Sequence, residues 1–528
     1  MIWYSWNRLE EGLFILSKPD SVLEDGGENE HERMDSVGAV SPPPAASATI
    51  GTRVFQNTMV QLGGRVVGLV LSAATSILLV RYLGRERMGE YGAIYAYLAL
   101  YTWLATFGLE QILAREASQR RGEASSIFLT GTIVALCFSV AGIALSFLLA
   151  PSFGYDGRLR ILVLIAAADV LLLPAASLVG IVFQVDLRQW YAVGLGLLRQ
   201  VLWLLAAALL VFGHKAFFWI IFSRTLVGIV TAAVTLLLCW RKGLLTRPWS
   251  FSWAEARKLV RYSFPLVFSA VSVGLFHRID QVMLHKMSGD RVLGPYVVAV
   301  TLTELFSALP VALMSSLFPV LSQTTHDEEK FLHYLHTSYR FLMVIVFGAC
   351  ALMTPIALPV IQLFYGKEFL QTAGLLVVLI WSEVPIFFGV VLSNALIAKG
   401  LQSYLPLATA IGAISNILLN LAVIPRYGAL GASWASVVSY SLGGIFVFLI
   451  WRKARVLVSQ GLRAALAPFL LTLGITVVLG FMPWVFWWKL VFAAAAYAAG
   501  AWMTGSIRQS EIDRVLALLG KSFTHVRS

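Results

Sequence analysis

Charge is scarce in this sequence. Only 13% of its 528 residues are Asp, Glu, Lys or Arg, against roughly a quarter in an ordinary soluble protein. Cysteine is scarcer still: Cys137, Cys239 and Cys350 each lie in or at the end of an apolar run. Their spacing matches no zinc site and they form no even disulfide set, so they read as small buried hydrophobes. No Gly-x4-Gly-Lys-Ser/Thr loop is present, which excludes nucleotide hydrolysis by that route. His333 and His336 share a polar loop without a third ligand, so no metal or other cofactor is expected. Loops long enough to build a soluble active site are missing as well. That points away from an enzyme.

What fills the chain instead is apolar: 58% of its residues are hydrophobic. The apolar runs are ~20 residues long, the length that crosses ~30 Å of hydrocarbon as a helix, and they lack the alternation of a barrel strand. The expected fold is therefore all-α and polytopic, with about fourteen transmembrane helices at 54–80, 91–109, 127–149, 161–183, 191–212, 216–238, 262–285, 295–319, 337–362, 371–397, 404–424, 429–450, 463–481 and 485–504. A net charge of +12 raises the question of nucleic acid. The bases, however, sit mostly in short loops between spans, which is a topology signal and not a binding stripe. Loops after even-numbered spans carry more Lys and Arg, which places both termini in the cytoplasm.

The sequence repeats itself. Arg81 to Tyr91 and Lys286 to Tyr296 both separate two apolar runs, and Gly84, Gly89 and Tyr91 recur as Gly289, Gly294 and Tyr296. Each copy reads as a short turn that uses glycine's freedom at positive φ. Further echoes follow in the same order: Leu187, Gln189 and Trp190 with Leu401, Ser403 and Tyr404, then Gly213, Trp219 and Gly228 with Gly428, Trp434 and Gly443. Six helices separate the copies, an even number, so both insert the same way up as parallel repeats. The expected organisation is a disordered cytoplasmic tail (1–50), an N-lobe of helices 1–6 (51–239), a cytoplasmic linker helix (240–261), a C-lobe of helices 7–12 (262–450), helices 13–14 (451–505) and a cytoplasmic tail (506–528). In the linker, Ser252 and Glu255 fit a capping box, and Arg257, Lys258 and Arg261 suit a short helix on the inner membrane face, near anionic headgroups. Pro174, Pro265, Pro310 and Pro385 are expected to kink their spans. Arg81 and Lys286 read as anchors at the outer interface, and Trp484, Trp487 and Trp488 as an interfacial belt.

The first hairpin resembles the opening of Wzx-type polysaccharide flippases, members of the multidrug, oligosaccharidyl-lipid and polysaccharide exporter superfamily. The residues that carry the likeness are Asn57, Arg81, Leu83-Gly84, Gly89-Glu90-Tyr91, Gly108-Leu109 and Arg115-Glu116, then Ile279-Asp280, and later Phe364-Tyr365-Gly366, Asn416, Asn420, Pro425, Gly428, Gly431 and Ala432. The resemblance covers roughly 54–450. It implies two six-helix lobes, alternating access, and carriage of an undecaprenyl-pyrophosphate-linked oligosaccharide across the bacterial plasma membrane for cell-surface polysaccharide synthesis. The implied partners are the lipid-linked glycan, the bilayer, and polymerase or glycosyltransferase enzymes of the same pathway. Fourteen helices, where twelve are usual, keep a lipid II flippase in view. An ion-coupled exporter of small cationic drugs or metabolites is the other alternative.

Charges inside the spans carry the functional reading, since each costs ~2.5–3.5 kcal/mol at the bilayer centre. At ~1.5 Å rise per residue, Arg65 lies about 16 Å into its span, and Arg199 and Arg224 about 12 Å into theirs. Arg278 sits beside His277 and near Asp280. Arginine binds phosphate oxygens bidentately and stays charged. Arg65, Arg278, Arg199 and Arg224 are therefore the candidates for an anionic headgroup, unless they pair with acids to fix helix packing. Asp280, Glu304, His277, Glu383 and Asp169 are the candidates for ion coupling.

Overall fold

The computed structural model describes residues 44–120, 123–185, 189–242, 250–482 and 485–506. It divides into two compact units, residues 1–53 and 54–528. The expected tail 1–50 lies largely outside the described residues, as do Leu187, Pro483, Trp484, the tail from 507 on and the Asn57 side chain.

The described part of the larger unit is all-α. Among the described residues nine helices are long and apolar enough to cross a membrane. Two of them, Gly63–Ala99 and Tyr404–Leu449, each take in two expected spans, because a single glycine turns the chain without ending the helical run. Gly84 does so at φ 67°, ψ −177°, and Gly428 at φ 53°, ψ −130°. Gly289, the repeat partner of Gly84, adopts φ 80°, ψ 169°, a region open essentially to glycine alone. The turn glycines of the two copies thus share one backbone conformation. Gly89 and Gly294 do not: they are helical, and their role is close packing.

Other expectations need revision. The expected span 161–183 is not one helix: it passes from Arg158–Ala167 through a π-helical turn at Ala168–Leu172 into short segments around Pro174. The linker helix is not separate either, since Trp253–Ser288 runs unbroken from linker into span. Half of the capping box forms. Ser252 Oγ accepts from the Glu255 amide at 3.3 Å, but the Ser252 amide donates to Thr130 Oγ1 and the Glu255 carboxylate binds Arg120.

Helices Arg452–Phe481 and Phe486–Met503 clamp the C-lobe helix Glu328–Phe364. Thr472 donates to the Phe347 carbonyl at 2.9 Å and Tyr497 to the Val344 carbonyl at 2.7 Å. In the Tyr404–Gly444 hairpin, a buried ladder links Asn420 to Asn416 at 2.8 Å and Asn416 to Ser439 at 2.9 Å. These bonds pair the two amide nitrogens that lipid would leave unpaired, while Asn420 Oδ1 stays buried without a partner. Large apolar side chains remain bare elsewhere, among them Leu209, Phe212, Trp487 and Trp488, as expected of helices that face lipid.

Candidate functional site

The site begins at the π-helical turn. Such a turn carries one residue more than an α-helical one and is often found at functional positions. Here it sets the buried Asp169 carboxylate toward the neighbouring helices. Gly228 makes the room: a Cβ there would fall 2.8 Å from Asp169 Oδ1 and 2.3 Å from Leu173 Cδ1. Arg199 reaches Asp169 Oδ1 at 2.5 Å, and Arg224 reaches Oδ2 at 3.1 Å. Arg224 also donates to the Tyr91 hydroxyl and lies over the Tyr95 ring at 4.0 Å. Two guanidiniums share one carboxylate, so the cluster keeps a net positive charge.

Three adjoining chambers surround it. One of 540 Å³ is lined by Arg199, Arg224, Tyr91, Gln200 and Thr301. One of 500 Å³ is lined by Arg65, Gly64, Gly68, Gln200 and Ala308. One of 480 Å³ holds Arg199, Glu110, Thr231 and Thr235. Thr301 and Ala308 come from the C-lobe helix Asp290–Gln323, so the first two chambers lie between the lobes. Arg65 makes no ion pair recorded among the described residues. Gln200 is a residue that sequence reasoning missed. Its Oε1 is buried without a hydrogen-bond partner, and it borders both inter-lobe chambers. A neutral amide inside an apolar span gives little signal beside an adjacent arginine.

The C-lobe is the acidic counterpart. Asp280 accepts from the Tyr296 hydroxyl and, at 2.7 Å, from the Gln281 amide. Glu383 accepts from Ser307 at 2.8 and 2.9 Å. Arg278 pairs with Glu304 at 3.0 Å, and His277 lies edge-on to Tyr440. Asp280, Glu304, Glu383 and His277 border one cavity of 40 Å³. The repeat tyrosines therefore take opposite partners: Tyr91 an arginine, Tyr296 an aspartate. Arg278 is not brought to the other arginines, and Asp169 serves as their counter-ion.

Contacts between the lobes lie at both ends of the chambers. At the turn end the two helix starts cross. A Cβ on Gly89 would fall 2.0 Å from the Asp290 carbonyl oxygen, and one on Gly294 2.0 Å from that of Arg85. Arg81 donates to the Phe364 carbonyl at 2.7 Å and Lys286 to the Ser152 carbonyl at 2.7 Å. The two bases expected as interface anchors are instead reciprocal straps, each reaching into the other lobe.

At the far end Glu116 binds Lys258 at 2.7 Å and Arg120 at 2.8 Å, and Arg120 also binds Glu255. Burial alone would raise the Glu116 pKa, but its bonds to Lys258, Arg115 and Arg120 prevail and hold it at about 2. A carboxyl held below its ordinary 4.5 contributes stability above that value and loses it as pH falls through about 2. Glu116→Gln is accordingly expected to lower the melting temperature by a few degrees at pH 7. The deficit should stay constant from pH 8 to pH 5; a deficit that disappears by pH 5 would refute this account.

Two family models match the chain. One, described as "Polysaccharide biosynthesis protein", covers residues 54–325, and the other, "Lipid II flippase MurJ", covers residues 196–506. Among curated relatives, the probable low-salt glycan biosynthesis flippase Agl15 of Haloferax volcanii is 23% identical over 375 residues, 69% of this chain and 76% of its own. The lipid II flippase MurJ of Bacillus subtilis is 24% identical over 210 residues, 37% of this chain and 39% of its own. Among solved structures, lipid II flippase MurJ in an inward closed conformation superposes with a TM-score of 0.67 at 15% identity, over 85% of this chain and 98% of that one. An inward-facing multidrug resistance transporter of the MATE family gives 0.61 at 17% identity, over 76% and 98%. The chain is a transporter and not an enzyme, and it belongs to the family of membrane flippases described by these two models, polysaccharide biosynthesis protein and lipid II flippase MurJ.

Proposed function

We propose that this protein carries an undecaprenyl-pyrophosphate-type lipid-linked oligosaccharide across the plasma membrane by alternating access, for cell-surface polysaccharide synthesis, with both termini in the cytoplasm. One observation carries the reading: Arg199 and Arg224 divide a single carboxylate beside the chamber that Arg65 lines. The excess positive charge suits a diphosphate, which would compete with Asp169 for the guanidiniums while Gln200 supplies a neutral hydrogen bond. Arg278, neutralised by Glu304, is assigned no headgroup contact. Asp280, Glu304, His277 and Glu383 form the ion-coupling set. Alternating access rests on the inter-lobe contacts at both ends, of which one set must part at a time.

The test is translocation of a fluorescent polyprenyl-pyrophosphate glycan in proteoliposomes. Losing two charge-assisted contacts should lower the rate of Arg199→Ala/Arg224→Ala by roughly 100-fold or more, with the protein still inserted. Wild-type rates in that variant would overturn the headgroup assignment. The acidic C-lobe favours a second reading, export of small cations coupled to an ion. Drug efflux without glycan translocation would establish it. Translocation of lipid II but of no longer glycan would narrow the substrate to that lipid.

A further inference from the structure

The basic face of the helix that begins at Trp253 has no part in the headgroup site. Its residues divide by direction. Glu255 and Lys258 turn inward to Arg120 and Glu116. Arg257 and Arg261, one helical turn apart and so on one side, instead line a groove of 880 Å³ against helix Ala124–Leu149. The rest of its lining is almost wholly apolar, including Ile133, Val134, Phe138, Val260 and Phe264. Phe251 and Trp253 meet edge to face at 5.1 Å at its border, and Trp253 is 79% exposed. Neither Arg257 nor Arg261 makes an ion pair recorded among the described residues.

From this arrangement we infer that the groove is a binding site for an anionic phospholipid of the surrounding bilayer. The acyl chains lie along the apolar wall, and the phosphate meets Arg257 and Arg261 at the depth marked by the exposed tryptophan. Tryptophan and arginine at one level are the pairing expected where a helix leaves hydrocarbon for headgroups. A groove of this volume is within the range of ligand sites. Arginine prefers an anionic phosphate ester to a zwitterionic head, whose own cation competes. The same helix carries Glu255 and Lys258, so an occupied groove also steadies the inter-lobe ion cluster.

The groove has its own reporter. Cys137 lies in its lining and is exposed, while Cys239 and Cys350 are buried. Full-length protein is reconstituted in nanodiscs of phosphatidylcholine alone, or with phosphatidylglycerol added, and its labelling by N-ethylmaleimide is timed. Phosphatidylglycerol is expected to slow Cys137 labelling by roughly tenfold, on the scale of two basic residues at a charged surface. Arg257→Ala/Arg261→Ala should lose that protection, and Arg257→Lys/Arg261→Lys should keep part of it. Equal labelling of the unaltered protein in both lipids overturns the proposal without need of any variant. So does protection by polyprenyl phosphate but not by phosphatidylglycerol, which would make the groove a substrate site.

Discussion

Gly89→Leu is expected to abolish transport while leaving the protein inserted and folded. A leucine Cβ at that position would stand 2.0 Å from the Asp290 carbonyl oxygen, and Gly294→Leu would meet the Arg85 carbonyl at the same distance. In both cases the obstacle is backbone, which cannot turn aside as a side chain can. Overpacking of this kind costs roughly 1–3 kcal/mol or more where the neighbours cannot shift. About 3 kcal/mol is sufficient to move a two-state equilibrium by a factor of ~100. Each substitution therefore disfavours the state in which the turn ends touch and leaves the other state accessible. Transport falls by roughly that factor, and a cysteine placed on the chamber wall becomes permanently reactive from the turn side. Gly89→Ala should give an intermediate phenotype. A Gly89→Leu carrier that exports at the unaltered rate would mean that this contact does not have to form during turnover.

The second large effect is expected at Asp169. This one buried carboxylate compensates both Arg199 and Arg224, whose side chains are part-exposed, so Asp169→Asn leaves two cations at the chamber wall without a counter-charge. Breaking a fully buried pair costs about 3–5 kcal/mol, and exposure of the two guanidiniums to the chambers reduces that here. Asp169→Asn should accordingly destabilise the protein more than Arg199→Ala, which leaves Arg224 to hold the carboxylate. An anion that takes the place of the carboxylate should reverse part of the loss. Inorganic pyrophosphate is therefore expected to raise the melting temperature of Asp169→Asn in detergent, and to do so more strongly than for the unaltered protein. Equal stability of Asp169→Asn and Arg199→Ala, or indifference of both proteins to pyrophosphate, would contradict the shared-counter-ion account.

Composition and run length were sufficient to read a helical membrane protein, because hydrocarbon permits few other structures; the transporter reading rests on the charges inside the spans and on the family resemblance. The repeat was legible in its glycines, and Gly84 and Gly289 adopt the positive φ expected of them. Gly89 and Gly294 look the same in sequence but do a different thing. Glycine serves for strained backbone and for close approach alike, and only the neighbouring helix tells which. Arg81 and Lys286 carried the same ambiguity, since a base at a span end suits a membrane interface and a carbonyl of the facing lobe equally. Depth along a span identified Arg65, Arg199 and Arg224 as unusual, but not that two of them converge on Asp169. That convergence depends on the π-helical turn, which no periodicity announces.

Trp253–Ser288 is a single helix of 36 residues, about 54 Å at the ordinary rise. It bears Glu255 and Lys258 near its start and Lys286 close to its finish. Under the alternating access proposed above, one helix would thus join the two contact sets: a tilt that parts the ion cluster would press the strap home, and the reverse tilt would do the opposite. A passage open to both aqueous compartments at once would then require this helix to bend between its ends, and Pro265 is the one residue along it whose backbone lacks the amide N–H to resist that.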